Sequence, residues 1–547
     1  MTTLYRGGFV YSPVDPFANA LVVDDATGTI AWIGGDDAAA VHADAVDEVV
    51  QLDGALVTPA FVDAHAHVSQ TGAGLRGVDL GGTRSVLEAL SRIEDAARTH
   101  RGRPVYAPNW DQGHWAEGRP HTAAELDRAT YGGVVYSPRV DGHSAVISSA
   151  LAAACGARGL PGWDGEGLVS RDAHHAAREA FTDAVSPDQR RADIDLALAA
   201  AAAAGIGLVH ENGGRILSSA DDFADVLAAG ERGDGPQTLG YWAQLVGDER
   251  EARDVATLHG ARGLAGDLNV DGSIGSRTAH LREDYADAPG HRGHGYLTVA
   301  QVRDHVAACS LAGLQAGFHV IGDAGVDTVL EGFEAAADLV GRDIVTRARH
   351  RLEHLEMVSA DGVERLARLG VAASVQPAFD AFWGGDRGMY AARLGGDRVH
   401  GRRGGDTGPM NPFATMMAAG MIVAMGSDSP VTPFAPWEAV RACVNHHDET
   451  QRVSARSAFL AHTRGGWRAA GFDDRGYLDL GLPATFAVWE VGDLVVQAPD
   501  DRIQTWSTDP RSGTPGLPDL SPGAPTPTCL RTVVRGRTVH DTGALAG

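Results

Sequence analysis

Between Thr58 and Arg475 the chain repeats one pattern, a short apolar run of strand type followed by a segment with helical periodicity. Ile206-Gly207-Leu208-Val209 precedes Phe223 to Ala229, Leu314 to Ile321 precedes Val326 to Leu339, and Met421 to Met425 precedes Trp437 to Val444. Repeated strand-then-helix units imply parallel strands with crossover helices, and their number suits a (β/α)8 barrel better than an open sheet. Such a barrel builds its site at the C-terminal ends of its strands. Histidines and carboxylates just after apolar runs are therefore the residues that matter.

The two ends have a different texture. Gly8-Phe9-Val10, Ala20 to Val23, Ile30 to Gly35 and Val49 to Leu52 are short strands broken by Gly, Asp and Pro, and Thr485 to Val491 and Arg531 to Val539 repeat that texture. Chain ends often lie close together, so these strands can pair in one unit. At 547 residues the chain is too long for one compact core. The reading is an α/β protein: a TIM-like (β/α)8 barrel over 58–475 and a small β-sandwich domain built from 1–57 and 476–547. Asp509 to Thr528, rich in Pro, Ser and Gly, reads as a long surface loop.

Seventy-one Asp and Glu against forty-six basic residues give a net charge of -25, the wrong sign for a nucleic acid or anionic membrane partner. All the basic residues are arginine, since the sequence contains no lysine. Cys155, Cys309, Cys443 and Cys529 are far apart and have no CxxC spacing, which suggests reduced thiols in a cytoplasmic protein. Neither an export signal nor a membrane span is apparent.

Four segments carry chemistry. In Phe61-Val62-Asp63-Ala64-His65-Ala66-His67, strand alternation puts His65 and His67 on one face, close enough to share a cation. His319 lies in Gly317 to Asp323, His354 in His350 to Glu356, and Asp428 follows the apolar run Ile422 to Met425. Each stands in or at the end of a strand-like run. The order HxH, His, His, Asp resembles the metal-dependent amidohydrolase superfamily. The resemblance extends to its amidohydrolase 3 or YtcJ-like branch, which includes deformylases of N-substituted formamides, through Val57 to His67, Asp271 to Ala279, His319 to Gly325, Arg349 to His354 and Gly426 to Pro430.

That resemblance implies zinc or another divalent transition metal held by His65, His67, His319, His354 and Asp428. It also implies hydrolysis of a C–N bond in a small molecule (an amide, N-formyl or N-acyl amine) by hydroxide generated on the metal. Asp428 would act as general base and then acid, and His354, or His319 where it is not a ligand, would stabilise the oxyanion. Two alternatives stand beside this. A heterocycle deaminase shares the chemistry, but His319-Val320-Ile321-Gly322-Asp323 departs from the His-Ala-Gly-Glu of purine deaminases; a metal-free scaffold is disfavoured by retention of all five ligand-type residues.

One departure matters. Many relatives carry a carboxylated lysine, bridging two metals, four residues before the Asp-Gly-Ser; here that position is Asp267. Asp267, Asn269 and Asp271 would share a strand face, and an aspartate is expected to fall short of a lysine carbamate's reach. One ion is then favoured, and a pair bridged by Glu211 is the second choice. His143 and Arg277 are substrate-binding candidates from segments resembling those near the family's substrate. His114, His174, His175, His446 and His447 read as solvated surface residues. A homodimer is the default oligomer.

Overall fold

The computed structural model describes residues 1–99, 102–215, 217–401, 408–497, 506–507 and 515–545. Eight parallel strands run in chain order around one sheet: β1 (Phe61–Ala66), β2 (Ile206–Gly214), β3 (Gln237–Ala243), β4 (Gly263–Leu264), β5 (Gln315–Val320), β6 (Arg351–His354), β7 (Ala372–Val375) and β8 (Val423–Met425). The ring closes just past β8, where Ala66 bridges Ser429, the Asp428 amide donates to the His65 carbonyl at 2.7 Å, and the His67 amide donates to the Ser429 carbonyl at 2.9 Å. The closing bonds thus tie the HxH motif to the aspartate turn.

The crossover helices follow local rules. After Leu297, Thr298 and Gln301 form a reciprocal capping box at the start of the helix Val299–Ala312, which stops at Gly313 in left-handed conformation. The next helix, Asp323–Val340, buries Val326, Val329, Leu330, Phe333, Ala336 and Ala337, a stripe at helical spacing against β5 and the preceding helix. Fully burying a side chain such as Phe333 contributes roughly 1.5–3 kcal/mol.

Strands from the two chain ends lie together. Thr29–Gly34, Ala20–Asp24, Thr2–Arg6 and Glu48–Gln51 form one sheet, and Phe9–Val10, Leu56–Pro59, Phe486–Glu490, Thr528–Val534 and Arg537–Asp541 form another. Tyr5, Leu21, Ile30, Val50, Phe486 and Val533 share a core between them. The loop expected over Asp509–Thr528 is described only from 515, where Leu517–Pro518 pairs with Leu494–Val495 instead of running free; residues 509–514 lie outside the described residues.

Between β1 and β2 lies an insertion that strand-then-helix counting does not separate from the barrel. It holds α1 (Val68–Arg76), a four-stranded sheet of Val105–Tyr106, Val135–Pro138, Ser144–Ile147 and Leu168–Ser170, and α2 (Arg171–Asp183). Its loops roof the C-terminal mouth of the barrel. Among the described residues no helix is long and apolar enough to cross a membrane.

Candidate active site

His65 and His67 leave the end of β1, His319 stands on β5, His354 ends β6, and Asp428 follows β8. Their side chains converge on the carboxylate of Asp267 and on one another. Asp267 Oδ1 lies 3.4 Å from His65 Nε2, 3.6 Å from His319 Nδ1 and 3.8 Å from His354 Nε2, while Oδ2 lies 3.2 Å from His67 Nε2. Asp428 Oδ1 stands 3.4 Å from His65 Nε2 and 3.2 Å from His67 Nε2. His354 and Asp428 both have positive φ, 68° and 56°, a strained conformation that surrounding structure must hold in place.

Each imidazole is fixed by its outer nitrogen. His65 Nδ1 bonds Glu353 Oε2 at 2.8 Å, His67 Nδ1 the Asn212 carbonyl at 2.9 Å, His354 Nδ1 Gln376 Oε1 at 2.7 Å, and His319 Nε2 the Gly272 carbonyl at 3.2 Å. Partners of this kind set the tautomer and aim the other nitrogen at a metal. The inner atoms His65 Nε2, His354 Nε2 and Asp267 Oδ1 are buried without a hydrogen-bond partner. Two sets, His65–Asp267–His354 and His65–His67–Asp428, hold their ligand atoms within 4.8 Å of one another. Imidazoles and carboxylates in this number fit a zinc-type ion.

Asp267 overturns the expectation that it falls short. The assumption of a continuing strand fails, because β4 ends at Leu264 and Gly266 turns the chain in left-handed conformation with φ +83. Beyond it the chain runs beside β5: the His319 amide donates to the Leu268 carbonyl at 3.2 Å, the Val270 amide to the His319 carbonyl at 2.9 Å, and Asn269 bridges His319. The backbone itself supplies the reach that a short side chain lacks. A Cβ on Gly266 would also meet Asn212 Oδ1 at 2.7 Å.

The fields are strong. Burial opposes charge on His67, but Asp267 and Asp428 push its pKa up to about 9, and the same acids with Glu353 raise His65 well above its usual value. Against the cost of burial, His65, His319 and His354 hold Asp267 well below the usual carboxylate range. Burial and neighbouring His319 lower His354.

Behind His65 lies a fully buried ion pair. Arg351 donates to both Glu353 oxygens, at 2.5 and 2.8 Å, to the Ala64 carbonyl at 2.7 Å and to Ser374 Oγ at 3.0 Å, and packs over the Tyr241 ring. Although burial disfavours its charge, Glu353 is held well below the usual carboxylate range by this guanidinium and by His65. Arg351→Met should therefore cost about 3–5 kcal/mol, because it strands a carboxylate in the barrel interior. Equilibrium denaturation would measure it, and a loss below about 1 kcal/mol would show that Glu353 does not depend on Arg351.

The remaining candidates divide. His143 is brought to the centre, its ring 4.8 Å from that of His319. Glu211 is buried nearby, but its Oε2 accepts from the Val68 amide at the start of α1 (2.8 Å), and no histidine nitrogen of the described residues lies within 4.0 Å of it; burial raises its pKa to about 7. Arg277 is turned away, gripped by both oxygens of Asp287 at 3.0 and 2.7 Å, and does not line the cleft. Two readings of surface histidines are corrected. His174 is buried against the Tyr136 hydroxyl at 2.8 Å and, with His175, lines the cleft; His446 is buried against the Asn411 carbonyl. His114 is exposed, and His447 is partly exposed beside Asp380.

The Asp271 to Ala279 motif ties barrel to insertion. Asp271 accepts from the amides of Ile321, Gly322 and His280, while Ser273 and Ser276 donate to Asp141, which also pairs with Arg139. A Cβ on Gly275 would lie 2.5 Å from Asp141 Oδ2 and 2.7 Å from Arg139 Nη1, so a larger residue there would displace this pair. The cleft roofed in this way is lined by His67, Asp267, His319, His354 and Asp428 from the barrel and by Tyr136, His143 and Arg178 from the insertion.

The same chain regions identify the family. A sequence profile described as the Amidohydrolase family matches residues 48–540. The chain belongs to the amidohydrolase family. This amidohydrolase is 27% identical over 534 residues to the putative amidohydrolase YtcJ of Bacillus subtilis, covering 89% of this chain and 94% of that one. It is 24% identical over 501 residues to the N-substituted formamide deformylase of Arthrobacter pascens, covering 84% and 88%. It also superposes on an uncharacterized metal-dependent hydrolase from Pyrococcus furiosus with a TM-score of 0.68, 25% identity, and coverage of 89% of this chain and 98% of that one. The amidohydrolase is thus YtcJ-like, a hydrolytic enzyme acting on C–N bonds.

Proposed function

We propose that this amidohydrolase cleaves amide-type bonds of small molecules, N-formyl or N-acyl amines, with two divalent transition ions held around Asp267. The observation that supports this is the arrangement of the Asp267 oxygens: Oδ2 faces His67, and Oδ1 faces His319 and His354 as well as His65, whose Nε2 also stands close to Asp428. One imidazole nitrogen serves only one ion, so His65, His67 and Asp428 with one Asp267 oxygen would hold the first, and His319 and His354 with the other oxygen the second. This replaces both the single ion favoured from sequence and the Glu211 bridge. Ions of this kind supply Lewis acidity and bring the pKa of bound water to about 7.

The chain's own groups do the rest. Asp428 lines the cleft and is a carboxylate at neutral pH: burial opposes its charge, but His67 and His65 lower its pKa. It takes the proton of the attacking water and delivers it to the leaving amine nitrogen. With His354 engaged as a ligand, His143 is the group left to donate to the developing oxyanion; burial keeps it neutral, so it offers one N–H without adding charge.

The test is hydrolysis of N-formylbenzylamine and N-acylbenzylamines by protein stripped with chelator and then reloaded with zinc, cobalt or manganese. Amine release should disappear on stripping and return on reloading. Turnover that persists in verified metal-free protein, or release from none of these amides in any metal form, would overturn the reading.

A further inference from the structure

The cleft holds two arginines of opposite circumstance. Arg139 is neutralised: it donates to Asp111 at 2.8 Å, to Asp141 at 3.0 Å and to Gln112 at 3.0 Å. Arg178, on α2, is half-buried and bonded only to neutral groups, with Nε to the Tyr136 hydroxyl at 3.2 Å and Nη2 to the Gly142 carbonyl at 2.5 Å. Among the described residues no carboxylate lies within 4.0 Å of it, although this protein carries seventy-one acidic residues. Its Nη1 and the second Nη2 hydrogen remain for a ligand, and that pair of donors matches a carboxylate held by two parallel bonds. A cation partly withdrawn from water with no counter-ion in contact favours an anionic ligand.

A second lobe, which Arg178 does not line, also borders His143, His319, His354 and Asp428. Its wall is mostly apolar, with Ile274, Phe379, Trp383, Met389 and Tyr390, interrupted by Asp141, Ser273 and Glu356; Phe379 is stacked 6.0 Å from the His354 ring and Trp383 lies 4.7 Å from Phe379. The four reacting residues border both lobes.

We infer that the substrate is an amide whose C–N bond separates a carboxylate, received by Arg178, from an apolar group, received by the aromatic lobe. The inference rests on the C–N hydrolase reading of the centre and deepens it. Water adds to the carbonyl carbon, the C–N bond breaks, the amine nitrogen takes a proton, and the products are an amine and a carboxylic acid. The substrate carboxylate can belong to the amine, as in N-acyl amino acids, or to the acyl group, as in monoamides of dicarboxylic acids.

Two pairs of probes distinguish these cases: N-benzoylglycine against N-ethylbenzamide, and N-benzylsuccinamate against N-benzylbutyramide. In metal-loaded enzyme, kcat/KM for at least one acid should exceed that of its neutral partner by roughly 10- to 100-fold, the value of a charge-assisted bond. Arg178→Gln should bring that ratio close to one, chiefly through KM, and Arg178→Lys should restore part of it. A wild-type enzyme without preference for either acid, or a preference that survives Arg178→Gln, would overturn the inference. Should none of the four amides be cleaved, calorimetric titration with N-benzoylglycine decides separately: binding weakened at least tenfold in Arg178→Gln sustains the anion site even as the hydrolytic reading fails on these amides. Absent binding, or equal affinity in both proteins, as when the carboxylate sits directly on metal, refutes it.

Discussion

Asp428→Asn is expected to lower kcat by roughly 10²- to 10⁴-fold, the usual contribution of general acid–base catalysis, while fold and most bound metal survive. The substitution is unusually clean here. Asp428 has φ 56°, a conformation that asparagine shares with aspartate, and barrel closure at this point uses its backbone amide, not its side chain. Asparagine still presents an oxygen where Oδ1 now faces His65 and His67, at 3.4 and 3.2 Å. What it cannot do is accept and release a proton. Steady-state kinetics beside elemental analysis and thermal unfolding separate the three effects, and turnover within tenfold of wild type, with metal retained, would remove Asp428 from the proton path.

The parts of this site that could be read from sequence are those set by strand alternation. His65 and His67 are two residues apart at the end of an apolar run, and His319, His354 and Asp428 each follow one, so period-two geometry and the barrel's polarity place them together. The groups that escaped detection depend on departures from regular structure or on distant chain. The expectation that Asp267 falls short assumes a side chain reaching from a strand, but the strand stops at Leu264 and Gly266 turns the backbone inward. The insertion between β1 and β2 has strands of two to four residues, such as Val105–Tyr106 and Ser144–Ile147, whose pattern cannot be distinguished from barrel repeats. For that reason nothing in the sequence marks Arg178, and His174 reads as a surface residue, whereas Arg277, inside a family motif, reads as a substrate-binding candidate. Its side chain is spent on Asp287, and the motif's work is done by its neighbours Asp271, Ser273 and Ser276.

Removing Asp267 should have the larger effect on the metal itself. Two divalent ions at the ~3.5–4 Å of binuclear centres repel with roughly four times the energy of unit charges at that separation, so an anion between them is a condition of their coexistence. Among the described residues Asp267 is the carboxylate that reaches all four histidines, Oδ2 facing His67 and Oδ1 facing His65, His319 and His354. Asp267→Ala deletes both oxygens and leaves five imidazole or carboxylate ligands with no bridge. The expected outcome is a fall from two tightly held ions per chain to at most one, measured by elemental analysis after dialysis, with kcat reduced by at least 10²-fold. Asp267→Asn, similar in shape but neutral, tests charge apart from space and should also lose the second ion. Reconstitution of the wild type should proceed equally with and without bicarbonate, because a chain with no lysine forms no lysine carbamate. A wild-type enzyme fully active with one ion, or an Asp267→Ala protein that keeps two, would show that the carboxylate is a ligand or hydrogen-bond acceptor beside a single metal and not the link between two.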